Sequence, residues 1–176
     1  MNKMLLMSLV LASFLGNAWG KTANIVKISK SKNPKNVLYY QLEYNEQDCT
    51  ITSDVQANWY MGESKMPYWK PLSESAGFIR KPLTPKSSDK QDSSIKFTTG
   101  AIADLAEQGI VSDKKVHVSI AKASGGGCEV SNELVIEGET LNVSEIFSQI
   151  GLIGVKWIEI RGTTRSAEKF YKKYEQ

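Results

Sequence analysis

The chain has 176 residues, of which 41% are hydrophobic and 23% charged, and its formal net charge is +3. That composition supplies the core of one domain and excludes disordered, collagen-like and coiled-coil chains. The near-neutral balance demands no polyanionic partner, and because the N-terminal lysine run lacks arginine and its aromatics follow only in the next strand, no nucleic acid is expected.

The first 20 residues follow the grammar of an export signal: Lys3, an apolar run from Met4 to Leu15, and small residues Ala18 and Gly20 before a cut at or near Lys21. The apolar run is too short to span a bilayer, and no cysteine near the cut offers a lipid anchor. Removing 1–20 leaves 156 residues, 21–176, expected as a single β-rich domain of net charge +2, because Lys3 leaves with the signal. Periplasmic or secreted localisation follows, with no transmembrane segment after cleavage.

Along this domain, period-2 alternation dominates. Asn24–Ser29 predicts a strand running into a basic turn that contains Asn33-Pro34. Val37–Tyr44 places Leu38, Tyr40, Leu42 and Tyr44 on a core face, with Tyr39 and Gln41 opposite. Val55–Met61 repeats the pattern, with Ala57 and Trp59 inward and Asn58 and Tyr60 outward. Residues 62–84, with three prolines, predict an irregular crossover carrying a short strand near Gly77–Lys81. Residues 84–94 lack any large apolar side chain and predict an exposed, mobile loop. A strand over Ser94–Thr99 precedes a short helix at 101–108, closed by Gly109. Val116–Lys122 and the segment from Cys128 to Glu137 predict a hairpin, and strands follow at Val143–Ile150 and Val155–Arg161. In the tail, Ala167, Phe170, Tyr171 and Tyr174 lie at helical spacing, which predicts a short C-terminal helix. The fold expected is therefore all-β and mostly antiparallel, a sandwich or a barrel of about eight or nine strands.

Cys49 and Cys128 form an even pair, and export to an oxidising compartment predicts that they are bridged. Enzymatic chemistry has little to work with. One histidine, His117, cannot supply a multi-His zinc site, and no GxSxG elbow, P-loop, dinucleotide fingerprint or EF-hand spacing occurs. No cofactor is expected. A Cys128–His117 dyad of a cell-wall enzyme is the remote catalytic alternative, and the predicted hairpin sets the two residues far beyond hydrogen-bond reach. Glu43, Glu74, Glu133 and Glu159 offer carboxylates for glycosidase-type work, but the pattern selects no pair.

Binding features stand out more. Lys21, Lys27, Lys30, Lys32 and Lys35 precede the first acid, Glu43; such a run suits anionic lipid heads, phosphorylated wall polymer or polysaccharide, or is a solvated turn. Trp59 and Trp157 alternate with apolar neighbours and are read as core, whereas Tyr68 and Trp69 lie on the proline-rich crossover and are read as exposed. The candidate ligand site is Tyr39, Tyr68 and Trp69, with Lys30, Lys32 and Arg80 available to an anionic group.

The segments IVKISKSKNPKNVLYYQLEY, VQANWYMGES, PLSESAGF and VKWIEIRG resemble an uncharacterised family of exported bacterial β-rich domains. Glu74-Ser75-Ala76-Gly77 stands where that family carries Glu-x-x-Ala-x-Gly, with each of the two intervals one residue shorter. The resemblance implies an envelope location and a β-rich fold, and brings no activity with it. Two functions remain open: a non-catalytic module for a small apolar or glycan-like ligand of the envelope, and a structural or protein-interaction component without a pocket.

Overall fold

The computed structural model describes residues 20–152 and 155–175; the expected signal segment lies almost wholly outside them. Twelve strands make one mixed sheet: β1 (Gly20–Lys30), β2 (Asn36–Asn45), β3 (Thr50–Ile51), β4 (Gln56–Met61), β5 (Tyr68–Pro71), β6 (Lys86–Ser88), β7 (Ser94–Thr98), β8 (Val116–Lys122), β9 (Cys128–Ile136), β10 (Glu139–Ile150), β11 (Val155–Thr164) and β12 (Lys169–Glu175). Two short helices, α1 (Gly77–Leu83) and α2 (Gly100–Glu107), complete it.

The main path runs β5-β4-β2-β1-β10-β9-β8-β7-β6, with β11 and β12 added beyond β10. All pairings are antiparallel except β1 with β10, where Lys27 lies opposite Glu145 and Lys30 opposite Ser148. β5 and β6, the ends of the path, do not pair, so the sheet is not a closed barrel, and neither is it two separate sheets.

The long strand β10 explains this shape. Its first residues pair with β9 (Glu139 opposite Ile136, Asn142 opposite Glu133), and its later ones pair with β1 along the same edge. β11 covers the other edge from Leu141 to Ile150. One strand thus serves two wings, a wide one through β1, β2, β4 and β5 and a narrow one through β9, β8, β7 and β6. At the fork, backbone groups would be left without partners, and a side chain fills the gap. The Asn132 amide donates to the carbonyls of Ile25 and Val143, while the Asn132 N–H donates to Asn142 Oδ1 at 3.2 Å.

The wings face each other across an apolar core. Leu38, Tyr40 and Leu42 of β2 are buried, as are Ile95 and Phe97 of β7 and Val116, Val118 and Ile120 of β8. Tyr40 meets Phe97 with ring centroids 5.3 Å apart. The disulfide between Cys49, in the β2–β3 turn, and Cys128, which opens β9, joins the wings across 79 residues of sequence.

Where β11 crosses β10 the backbones come very close. A Cβ on Gly162 would fall against the Asn142 carbonyl oxygen and 3.0 Å from Val143 Cα, both backbone atoms that cannot swing away. Gly162→Ala is expected to destabilise the fold by about 1–3 kcal/mol through forced strand displacement, read as a lowered urea midpoint.

Four expectations about the secondary-structure elements differ from the structure. The tail is β12, not a helix: Phe170, Lys172 and Tyr174 alternate with Tyr171, Lys173 and Glu175, and hydrogen bonds to β11 outweigh the helical spacing. Ala167, counted toward the helix, instead takes φ 63° in the β11–β12 turn, where its N–H donates to the Thr164 carbonyl. The segment near 77–81 is helix α1, whose Arg80 N–H and Thr84 N–H donate to the carbonyls of Ala76 and Arg80 and whose Leu83 packs against the core. The 84–94 segment holds the short strand β6, whose Ser87 Oγ accepts from the Val55 N–H at 3.1 Å. Finally, twelve strands replace eight or nine, the additions being the short β3, β5 and β6 and the terminal β12.

Candidate functional site

The outer face of the wide wing collects the polar and aromatic residues of the sheet. On β2, Tyr39 and Gln41 point away from the core because Leu38, Tyr40 and Leu42 point into it. Register then brings Asn58 opposite Tyr39, and Tyr60 opposite both Val37 and Trp69 of β5. The result is an aromatic group in which Trp69 packs on Tyr39 (centroids 5.4 Å apart, edge-on) and on Tyr60 (5.3 Å, tilted). Trp69 remains 47% exposed.

Beside it lies a ladder of amides across three strands. Gln41 Nε2 donates to Asn24 Oδ1 at 2.7 Å, and Asn58 Nδ2 donates to Gln41 Oε1 at 2.9 Å. The ladder has direction: Asn24 keeps its NH2 donors and Asn58 keeps its Oδ1 acceptor for a further partner. A depression of about 410 Å³, bordered by Thr22, Asn24, Gln41 and Trp69, connects the amides to the indole.

Further along the same face, on β1, β10, β11 and β12, charge replaces amide. Ser29 Oγ donates to Glu145 Oε1 at 2.5 Å, Lys27 Nζ stands 3.0 Å from that oxygen, and Arg161 bridges Glu145 (3.2 Å) and Glu159 (2.6 Å). Partial burial pulls the Glu145 pKa up, but the hydrogen bonds from Ser29 and Lys27 and the charges of Lys27 and Arg161 outweigh it and hold the group below the ordinary carboxylate range. Glu159 is lowered in the same way: desolvation is outweighed by hydrogen bonds from Arg161 and Trp157 and by the Arg161 charge. Both carboxylates are therefore kept ionised, and neither is tuned as the protonated acid that glycoside hydrolysis needs. Trp157, read from sequence as core, belongs to this outer face: its Nε1 donates to Glu159 Oε1 at 3.2 Å and Lys173 Nζ sits 4.3 Å from its ring centroid.

The six sequence-predicted site residues do not converge. Tyr39 and Trp69 do meet. Tyr68 is on the opposite face of β5, as strand alternation requires. Arg80 borders a different hollow, of about 350 Å³, with Leu72 and Pro85, and donates to the Ser73 carbonyl at 2.9 Å. Lys30 borders a third hollow, of about 190 Å³, with Trp59, Lys70 and Ile79. Lys32 stands exposed in the β1–β2 turn. Tyr60, Gln41, Asn58 and Asn24 were not among the candidates, although Tyr60 and Asn58 share one phase of β4, and Gln41 shares that of Tyr39.

In the bridged state Cys128 has no thiol to act as a nucleophile. Along the β8–β9 hairpin, His117 lies opposite Glu133 while Cys128 lies opposite Lys122, five positions away.

Set against known proteins, the chain matches no family model, no curated protein and no solved structure.

Proposed function

We propose that this protein is an exported, non-catalytic binding module that takes a glycan-like ligand of the cell envelope on the outer face around Trp69. The observation that carries this reading is the pairing of a half-exposed indole, held in place by two tyrosines, with an oriented amide ladder at its side. A sugar ring offers an apolar C–H face for stacking and a rim of hydroxyls that both donate and accept, which matches an aromatic plate beside amides. A small, wholly apolar ligand would leave the amides without partners, so the glycan class is preferred. The disulfide supports a location outside the cytoplasm, where such bridges persist, and the resemblance to exported envelope domains points the same way. Among the described residues no helix is long and apolar enough to cross a membrane.

The test is tryptophan fluorescence during titration with a panel of neutral and N-acetylated oligosaccharides. At least one is expected to perturb the emission, and in isothermal titration calorimetry, which does not need the indole as reporter, Trp69→Ala is expected to weaken that ligand about 30-fold, the loss of a central aromatic contact of about 2 kcal/mol. Tyr68→Ala, on the other side of β5, is expected to leave binding unchanged. A flat response across the panel, or equal losses from both substitutions, overturns the reading in favour of a structural component.

A further inference from the structure

The exposed large apolar side chains of the described residues gather mostly at one end of the wide wing. Met66 and Phe78 are each 81% exposed, Leu152 is fully exposed, and Tyr68 is half-exposed. Topology brings them together. Because β1 and β10 run parallel, the turn after β1 and the residues after β10 leave the sheet at the same end. β2 and β4 are each antiparallel to their neighbour, so the β4–β5 hairpin closes at that end too. Phe78 reaches it from α1, where its neighbour Ile79 borders the hollow shared with Lys30, Asn33 and Asn36.

Hydrogen bonds make these turns one unit. The Ser31 N–H donates to the Ser148 carbonyl at 3.0 Å and the Ile150 N–H to Ser31 Oγ at 2.9 Å, tying the β1–β2 turn to the end of β10. The Gly62 N–H donates to the Lys35 carbonyl at 3.2 Å, tying the same turn to the β4–β5 hairpin. A Cβ at Gly62 would lie 2.5 Å from that oxygen, so only glycine permits the approach.

Around the apolar tips stand Lys30, Lys32, Lys35, Lys65 and Lys70. None of them is ion-paired among the described residues, whereas Lys21, Lys27, Lys114, Lys115 and Lys172 elsewhere each meet a carboxylate. The hairpin's acid, Glu63, is outnumbered.

We propose that this end of the sheet is a docking surface for an anionic lipid bilayer. Charge complementarity selects the occupant: an unneutralised lysine collar belongs at headgroup phosphates, and Met66, Phe78 and Leu152 sink below them into the acyl boundary. Lysine stems lie along the apolar surface while their ammonium groups stay at the phosphates, and Tyr68 suits the interface between the two layers. The strands then stand upright on the membrane, which leaves the Trp69 face at the side, open to solvent. Membrane docking does not depend on what that face binds.

The experiment is co-sedimentation of the disulfide-bonded protein with vesicles of equal phosphatidylglycerol and phosphatidylcholine, against phosphatidylcholine alone. Binding is expected on the anionic vesicles, falling as salt rises from about 0.05 to about 0.5 M as screening tightens. Neutralising Lys32, Lys35 and Lys65 together to Gln is expected to lower partitioning about 100-fold, at roughly fivefold per lysine. Met66→Glu with Leu152→Glu is expected to abolish it. These side chains are exposed, so unchanged thermal midpoints will show that the variants fold. The control Lys114→Gln, Lys115→Gln, Lys169→Gln, away from the tip, is expected to bind like the wild type, and so is Trp69→Ala, which separates this proposal from glycan binding. Wild-type protein left in the supernatant, equal partitioning onto both vesicle types, or tip variants that bind like the wild type would overturn it; a soluble acidic protein partner then becomes the reading of this surface.

Discussion

Replacing Cys49 and Cys128 together with Ala is expected to lower stability by about 4.5 kcal/mol, the chain-entropy value for a loop of this size. The bridge closes 79 residues and links the two wings, which otherwise share the strand β10 and the core between them. Its main effect falls on the unfolded chain: without it, the segment from β3 to β9 can expand freely. Two signatures follow in urea unfolding. The midpoint falls, and the slope m rises because the uncrosslinked unfolded state exposes more surface. Treating the wild type with a reductant should reproduce both. A loss below about 1 kcal/mol would mean that the wings are held by packing alone and that the bridge is incidental to the fold. Out of typical domain stabilities of about 5–15 kcal/mol, the expected loss is enough to leave the variant partly unfolded at elevated temperature.

Alternation made the wide wing legible. In β2 and β4, Leu38, Tyr40, Leu42, Ala57 and Trp59 alternate with Tyr39, Gln41, Asn58 and Tyr60, so both the strands and their faces could be read directly, down to Gln41 and Asn58 on the outer side. The tail misled because Phe170, Tyr171 and Tyr174 satisfy a helical stripe and a strand alternation at once. What decides between them is β11, a partner whose pairing is invisible to local pattern. The fork at β10 was hidden for a similar reason. Its signal is Asn132, a polar residue in the strand phase of Val130, Leu134 and Ile136, whose amide has meaning only once two strands diverge around it.

The site was legible in chemistry but not in geometry. Choosing exposed aromatics near lysines found Trp69 and Tyr39, yet it also gathered Tyr68 and Arg80, which strand alternation and the turn into α1 send elsewhere. Counting phase from the core residues outward selects better: Tyr60 and Asn58 are out of phase with Trp59, and Gln41 is out of phase with Tyr40. Trp157 shows the same rule in reverse. Its neighbours Ile158 and Ile160 lie on the inward phase with Ile160 fully buried, so Trp157, one residue off, must face out beside Glu159.

Tyr40→Ala is expected to cost about 3–5 kcal/mol, the range for deleting a large buried aromatic side chain. Tyr40 is fully buried at the centre of β2, its ring against Phe97 of the opposite wing and its hydroxyl donating to the Leu83 carbonyl at 3.0 Å. One side chain therefore joins the wide wing, the narrow wing and the end of α1. Burial pushes its phenol far above the ordinary tyrosine pKa, against a weaker opposing hydrogen bond with Thr99, so it stays neutral and able to donate at any working pH. Tyr40→Phe separates the two contributions. It keeps the ring and takes the hydroxyl away from the Leu83 carbonyl and from Thr99, for an expected loss of about 1 kcal/mol. Chemical denaturation of both variants reads the difference directly. If Phe costs as much as Ala, the hydrogen bond that seats α1 holds the wings together; if Phe costs only about 1 kcal/mol and Ala about 3–5, the ring contact across the core does. The second outcome is the one that the 5.3 Å packing against Phe97 supports, and it would make the Tyr40–Phe97 contact, with the disulfide at the sheet's other connection, the pair of links that keeps one continuous sheet folded on itself.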